Sequence, residues 1–183
     1  MSKPKPWKKI SSKQILDDPQ LSINEDIVEL PNGKRSRYVL HAHTDLHSVL
    51  IIAQNSEGKF LVQREYSYPP NEVMWQLPGG AMELGETVKD AALRELAEEC
   101  GYSSKNVIDL GYFYVQNRKS NRKQYVVICS DLFEHVLEGD PDEFIELHWL
   151  TLKEIHEKVS RGEIVNINFL AALSLMHHNG VKA

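Results

Sequence analysis

The chain has 183 residues, 42% hydrophobic and 26% charged, with a formal net charge of -5. That is enough for one sizeable core and a small appendage; it argues against two full domains and against wholesale disorder. A net negative charge also disfavours nucleic acid as the main partner, because binding a phosphate backbone calls for a basic surface.

Met1 to Lys9 is basic, but no apolar stretch follows it, and no segment reads as a membrane span. A cytosolic chain without membrane attachment is the expectation. Cys100 and Cys129 have no spacing that suggests a metal pair or a disulfide framework, so both read as core thiols. Ile27 to Leu30 and Arg37 to Leu40 are short β-prone runs around Pro31-Asn32-Gly33, a hairpin signal. Residues 1–44 therefore read as a small β appendage, and residues 45–183 as the main domain.

The apolar run Val49-Leu50-Ile51-Ile52, within Ser48 to Ala53, predicts a buried strand. A turn at Asn55 to Gly58 leads into Lys59 to Arg64. Thr87 to Cys100 lacks Gly and Pro, opens with Thr87 and Asp90 at capping-box spacing and ends at Gly101, which predicts a helix. Strands are predicted at Val107 to Tyr114, Gln124 to Cys129 and Ile145 to Leu150, with helices near Leu152 to Val159 and Phe169 to His177. Strands interspersed with helices indicate an α/β (α+β) fold, a mixed sheet sandwiched by helices.

On the predicted helix, Glu95, Glu98 and Glu99 stand at i, i+3 and i+4, so their carboxylates share one face. Like charges so placed repel, and a hard cation such as Mg²⁺ or Mn²⁺ would relieve that repulsion through oxygen ligands. Ala92, Leu93, Leu96 and Cys100 form an apolar stripe on another side, available for the core. Three glutamates alone are more commonly a solvated helix face. The wider spacing separates the two readings.

Gly80, then Glu86, then Arg94-Glu95-Leu96-Ala97-Glu98-Glu99-Cys100-Gly101 resembles the Nudix box at each position that demands one residue type; Tyr102 departs mildly from the usual aliphatic closure. Trp75-Gln76-Leu77-Pro78-Gly79-Gly80 resembles the strand and loop that precede the box, and the likeness runs from roughly Asp45 to Leu175. The resemblance implies a helix-sheet-helix sandwich and a metal-dependent hydrolase that splits the pyrophosphate of a nucleoside diphosphate linked to another group. By position, Glu95 and Glu99 would be the principal metal ligands and Glu98 an additional one, with a backbone carbonyl at Gly79 or Gly80. Glu86 and Arg94 would orient helix and loop through an ion pair. A carboxylate from outside the helix would complete the cation site or take a proton from water. In the acidic segment Asp140, Asp142, Glu143, Glu146, the first choice is Glu143 and the second Glu146; with Glu98 they form the catalytic candidates. A mobile loop at Glu134 to Gly139 would let that segment swing.

Lys59 to Tyr68 resembles the segment before the box in ADP-ribose and other nucleoside diphosphate sugar pyrophosphatases, where an N-terminal β region builds a homodimer. Arg64 would then contact phosphate, and Tyr66 or Tyr68 would stack on a base or ribose. Tyr114-Val115-Gln116-Asn117-Arg118 lacks the proline common after the box in ADP-ribose-specific members, so the implied substrate is a nucleoside diphosphate sugar, with ADP-ribose a leading but not exclusive candidate. Two other functions stand as alternatives: hydrolysis of modified nucleoside triphosphates, which needs no N-terminal segment, and a non-catalytic nucleotide sensor, in which the box is usually degraded. The basic run Arg118 to Lys123 reads as a solvated hairpin turn. His41, His43 and His47 have no partners at zinc-finger spacing and are read as strand or loop histidines.

Overall fold

The structure is a computed structural model, and it describes residues 3–19, 21–42 and 46–180. His43 and the Asp45 boundary therefore lie outside the described residues. The chain divides into two compact units. The first takes residues 1–45 together with 116–122, and the second takes 46–115 and 123–183.

In the first unit, β1 (Lys8–Asp17), β2 (Ser22–Glu29) and β3 (Arg35–His41) form an antiparallel sheet in sequence order. The expected hairpin is β2–β3. Its turn closes through Leu30 N to Lys34 O and Gly33 N to Leu30 O, and Gly33 takes φ +79, which a side chain would disfavour. β1 lies outside the predicted elements, because its ten residues are all exposed and so show no buried alternation. The basic run is also not merely a solvated turn. Tyr38 donates its hydroxyl to Arg118 O at 2.5 Å, His41 N donates to Lys119 O, and Lys119 Nζ lies 5.8 Å from the Tyr38 ring centroid. These contacts tie the 116–122 tip into the first unit.

The second unit holds β4 (Ser48–Ala53), β5 (Phe60–Ser67), β6 (Glu72–Gln76), α1 (Val88–Cys100), β7 (Tyr102–Tyr114), β8 (Lys123–Glu134), β9 (Glu146–Leu150), α2 (Leu152–Ser160) and α3 (Ile167–His178). β4 runs parallel to β8 and β7 antiparallel to it, giving the order β4-β8-β7; β6-β5-β9 is antiparallel. Strand alternation sends neighbouring residues to opposite faces. Val49, Ile51, Ala53, Leu61, Val127 and Cys129 pack against Ala91, Ala92 and Leu96 of α1. Leu50, Ile52, Phe60, Val62, Val126 and Ile128 pack with Ile155 of α2 and Phe169, Ala172 and Met176 of α3. Strand layers thus lie between α1 and the pair α2–α3, an α+β sandwich. Both cysteines are free and buried, and burial pushes the Cys129 thiol up to about 12.

Two local expectations need correction. Ala91 and Ala97 belong to the buried stripe of α1, while Leu93 is only half-buried. The Thr87 cap is one-sided: its hydroxyl oxygen accepts from Asp90 N at 3.1 Å, but a full capping box occurs only at Thr151 and Glu154 of α2 among the described helices.

Candidate active site

The start of α1 is set by Thr87 and its end by Gly101, whose N–H reaches Ala97 O from a left-handed conformation (φ +73). Between these caps the helix presents Glu95, Glu98 and Glu99 beside the 77–81 loop. Arg94 organises the group. Its Nε and Nη2 donate to the two oxygens of Glu86, both at 3.0 Å, a fork-to-fork pairing that joins helix to loop. Nη1 donates to Glu95 at 2.9 Å and Glu98 at 3.0 Å, and Nη2 also reaches Ala81 O. Arg94 is therefore more than the partner of Glu86 that the sequence suggested. Its carboxylate partners, Glu86 foremost, raise its pKa, so it stays charged.

Glu99 accepts a hydrogen bond from Gly79 N at 2.8 Å, which fixes the helix face against the loop. Burial pushes its carboxyl up to about 8, with Glu95, Glu143 and Glu65 adding repulsion against the Gly79 bond. Burial is also the main cause that raises Glu95, opposed by Arg94. The loop fits this face because it lacks side chains. A Cβ on Gly80 would stand 2.6 Å from both carboxylate oxygens of Glu95, and one on Gly79 would run into Val49 O. Gly80 O accepts from Val49 N at 2.9 Å. Among the described residues no three His, Cys, Asp or Glu side chains form a ready-made ligand shell; Glu95 and Glu98 are turned toward Arg94 instead.

The acidic segment separates its two candidates. Glu143 is brought toward the helix face: burial raises its pKa, and Glu65, Asp140 and Glu98 add to the effect. Glu146 pairs across strands with Arg64, and that register puts both side chains on the face shared with Val62 and His148, away from α1. There Arg64 Nη1 lies 3.3 Å from Glu146, and the guanidinium lies 5.4 Å from the Trp75 ring centroid. Tyr66 donates to Asn71, and Tyr68 is 82% exposed in the following turn. Arg64, Tyr66 and Glu146 are therefore not brought together with the helix glutamates. Nor is the 134–139 segment loose, since His135 N bonds Gly101 O and Leu137 N bonds Ala97 O at the end of α1. His47 stacks edge-on with Tyr125.

One group at this face was missed. Glu65 of β5 shares strand parity with Leu61, which packs under α1, and its Oε2 accepts from Gln76 Nε2 at 2.9 Å. Its charge acts on both Glu99 and Glu143. Alternation along Leu61, Gln63 and Glu65 was the signal available in the sequence.

Residues 45–173 match the family described as the NUDIX domain. The chain belongs to the Nudix family. Residues 7–40 match a second description, nucleoside diphosphate sugar hydrolase N-terminal domain. Among its Nudix relatives, an ADP-ribose pyrophosphatase of Bacillus subtilis is 29% identical over 171 residues, covering 92% of this chain and 91% of that protein. A methanol dehydrogenase activator of Bacillus methanolicus has the same identity and coverage. A solved structure described as an ADP compounds hydrolase superposes with a TM-score of 0.89 at 21% identity, covering 97% of this chain and 96% of that one. That likeness shows the fold alone; by the family match and the relatives, the chain is a Nudix pyrophosphohydrolase. No described helix is long and apolar enough to cross a membrane.

Proposed function

We propose that this enzyme hydrolyses the pyrophosphate of nucleoside diphosphate sugars, ADP-ribose foremost, to a nucleoside monophosphate and a sugar phosphate. The observation that carries the reading is the partly buried carboxylate face of α1, docked by Gly79 N onto a loop with no side chains at Gly79 and Gly80. The relatives described as ADP-ribose pyrophosphatases and the match of residues 7–40 support the substrate class.

Glu95, Glu98, Glu99 and the Gly79 carbonyl are the proposed holders of Mg²⁺ or Mn²⁺. Gly79 is preferred because Gly80 O already accepts from Val49 N. The donor set fits: it is all oxygen, crowded with acceptors and partly buried, the environment that hard divalent cations stabilise. When bound, the cation neutralises phosphate charge and acidifies a water. The chain's own residues do the rest. Glu86 and Arg94 hold helix and loop in register. Glu143, on the same face yet outside the helix, takes the proton of the attacking water; Glu146 is the control, since its partner is Arg64. Glu98 serves as ligand rather than base, because Arg94 Nη1 donates to one of its oxygens and holds it in place. Of the three residues expected to meet substrate, Tyr68 is retained as an exposed aromatic face for base or ribose, whereas Arg64, expected at phosphate, and Tyr66 are engaged with Glu146 and Asn71. The first unit is proposed to form a homodimer, and the cytosol is the proposed compartment.

Incubation with Mg²⁺ and a panel of nucleotide sugars and nucleoside triphosphates tests this. Sugar nucleotides should be split and triphosphates spared. Chelation should abolish turnover, and Glu99→Gln should cost about a hundredfold, the scale of losing a major electrostatic stabiliser. Full activity in the presence of chelator would overturn the reading.

A further inference from the structure

The proposed cation centre leaves Glu65 without a task, although it faces the helix glutamates from the sheet side. We propose that Glu65 is a further carboxylate of that centre, set in place by Gln76 and, behind it, by Asn166. The inference rests on the cation-centre reading above.

Three observations converge. First, parity on β5 turns Glu65 to the face of Leu61 and α1, opposite to Arg64, so this strand offers the site only negative charge. Second, its carboxylate is gripped in a defined orientation. Asn166 caps α3 by accepting from Asn168 N at 2.8 Å and from Phe169 N, which commits its Oδ1 and leaves Nδ2 to donate to Gln76 Oε1 at 3.4 Å. Gln76 must then present Nε2 to Glu65, as it does at 2.9 Å. A helix cap thus dictates which way the amide points, and the amide holds one oxygen of Glu65. Third, Gln63, on the same face and only 3% exposed, has an Oε1 with no hydrogen-bond partner. A buried amide oxygen left unmatched is costly. It lies two residues from Glu65 on the same face of β5, and Glu65 in turn acts on Glu99 and Glu143, so this face carries acceptors in excess of donors. A divalent cation with its bound waters satisfies such a place.

The test is titration of the full chain with Mn²⁺ alone, without substrate, followed by calorimetry. Glu65→Gln should weaken Mn²⁺ binding about tenfold or more, with the thermal midpoint and circular dichroism retained. Gln76→Met keeps the length but removes the amide, and should weaken binding by several-fold in the same direction. Asn166→Asp keeps the α3 cap but replaces the donor to Gln76; a weakened site in this stably folded variant would show that the relay acts at a distance. If Glu65→Gln leaves Mn²⁺ binding unchanged while Glu99→Gln weakens it, the proposal is overturned and the cation centre of the helix stands. If Glu65→Gln alters only KM for the sugar nucleotide, Glu65 meets substrate instead and the proposal also fails. Should neither glutamate affect Mn²⁺ binding, the cation-centre reading falls with it. If Glu65→Gln does not fold, Glu65→Ser is measured in its place against the same outcomes.

Discussion

Gly79 and Gly80 are neighbours in sequence but are required for different reasons. At Gly79 a β-carbon would strike the backbone of Val49, and φ is +137, so neither the clash nor the dihedral can be relieved by moving a side chain. Gly79→Ala should lower stability by about 3 kcal/mol or more, read from the denaturant midpoint. At Gly80 the obstacle is the carboxylate of Glu95, the far end of a side chain that can turn away. Gly80→Ala should therefore unfold close to the wild-type midpoint while losing most of its turnover; a variant that keeps its rate would separate Glu95 from the chemistry. Glu143 and Glu146 make a similar contrast. Glu143→Gln should lower kcat strongly with KM little changed, whereas Glu146→Gln should keep its rate, because its partner on the opposite face is Arg64. That difference could not be read from the acidic segment itself. It depends on the register of β9 against β5, which no local pattern encodes.

At the level of elements, α1 was the most legible because its signals are local: a polar cap, an uninterrupted helical run and a closing glycine. The cap is testable. Thr87→Ala should cost about 1 kcal/mol, and Thr151→Ala at the reciprocal box of α2 at least as much, in chemical unfolding. Losses well below this at both sites would mean that packing alone positions the helices. β1 was illegible for the converse reason. With every residue exposed, it has no hydrophobic period, and only its pairing with β2 makes it a strand. The 134–139 segment looked loose on composition, yet its backbone groups find partners at the end of α1. Glu65 stands between Arg64 and Tyr66, which point to the other side, and only its strand parity with Leu61 marks it.

At the scale of the molecule, β1 leaves Ile10, Ile15 and Leu16 exposed on a ten-residue strand, an unusual apolar load for a solvated edge. The proposed homodimer accounts for it. Sedimentation of the full chain at micromolar concentration should give twice the monomer mass, and Ile10→Glu with Ile15→Glu should shift it toward monomer; a wild type that sediments as monomer would remove the dimer from the proposal. β5 has a different consequence for the whole second unit. It is shared by both cores, Phe60 and Val62 serving one and Leu61 the other, and the same alternation continues into Arg64 and Glu65. One residue inserted between the turns at 55–58 and 68–71 would invert everything downstream in the strand, exchanging core members and replacing an acid at the helix face with a guanidinium. The count of residues in that stretch is thus constrained in parity as well as in composition. Lineages of this protein should vary the identity of its surface positions more freely than its length, and should place their insertions in the flanking turns.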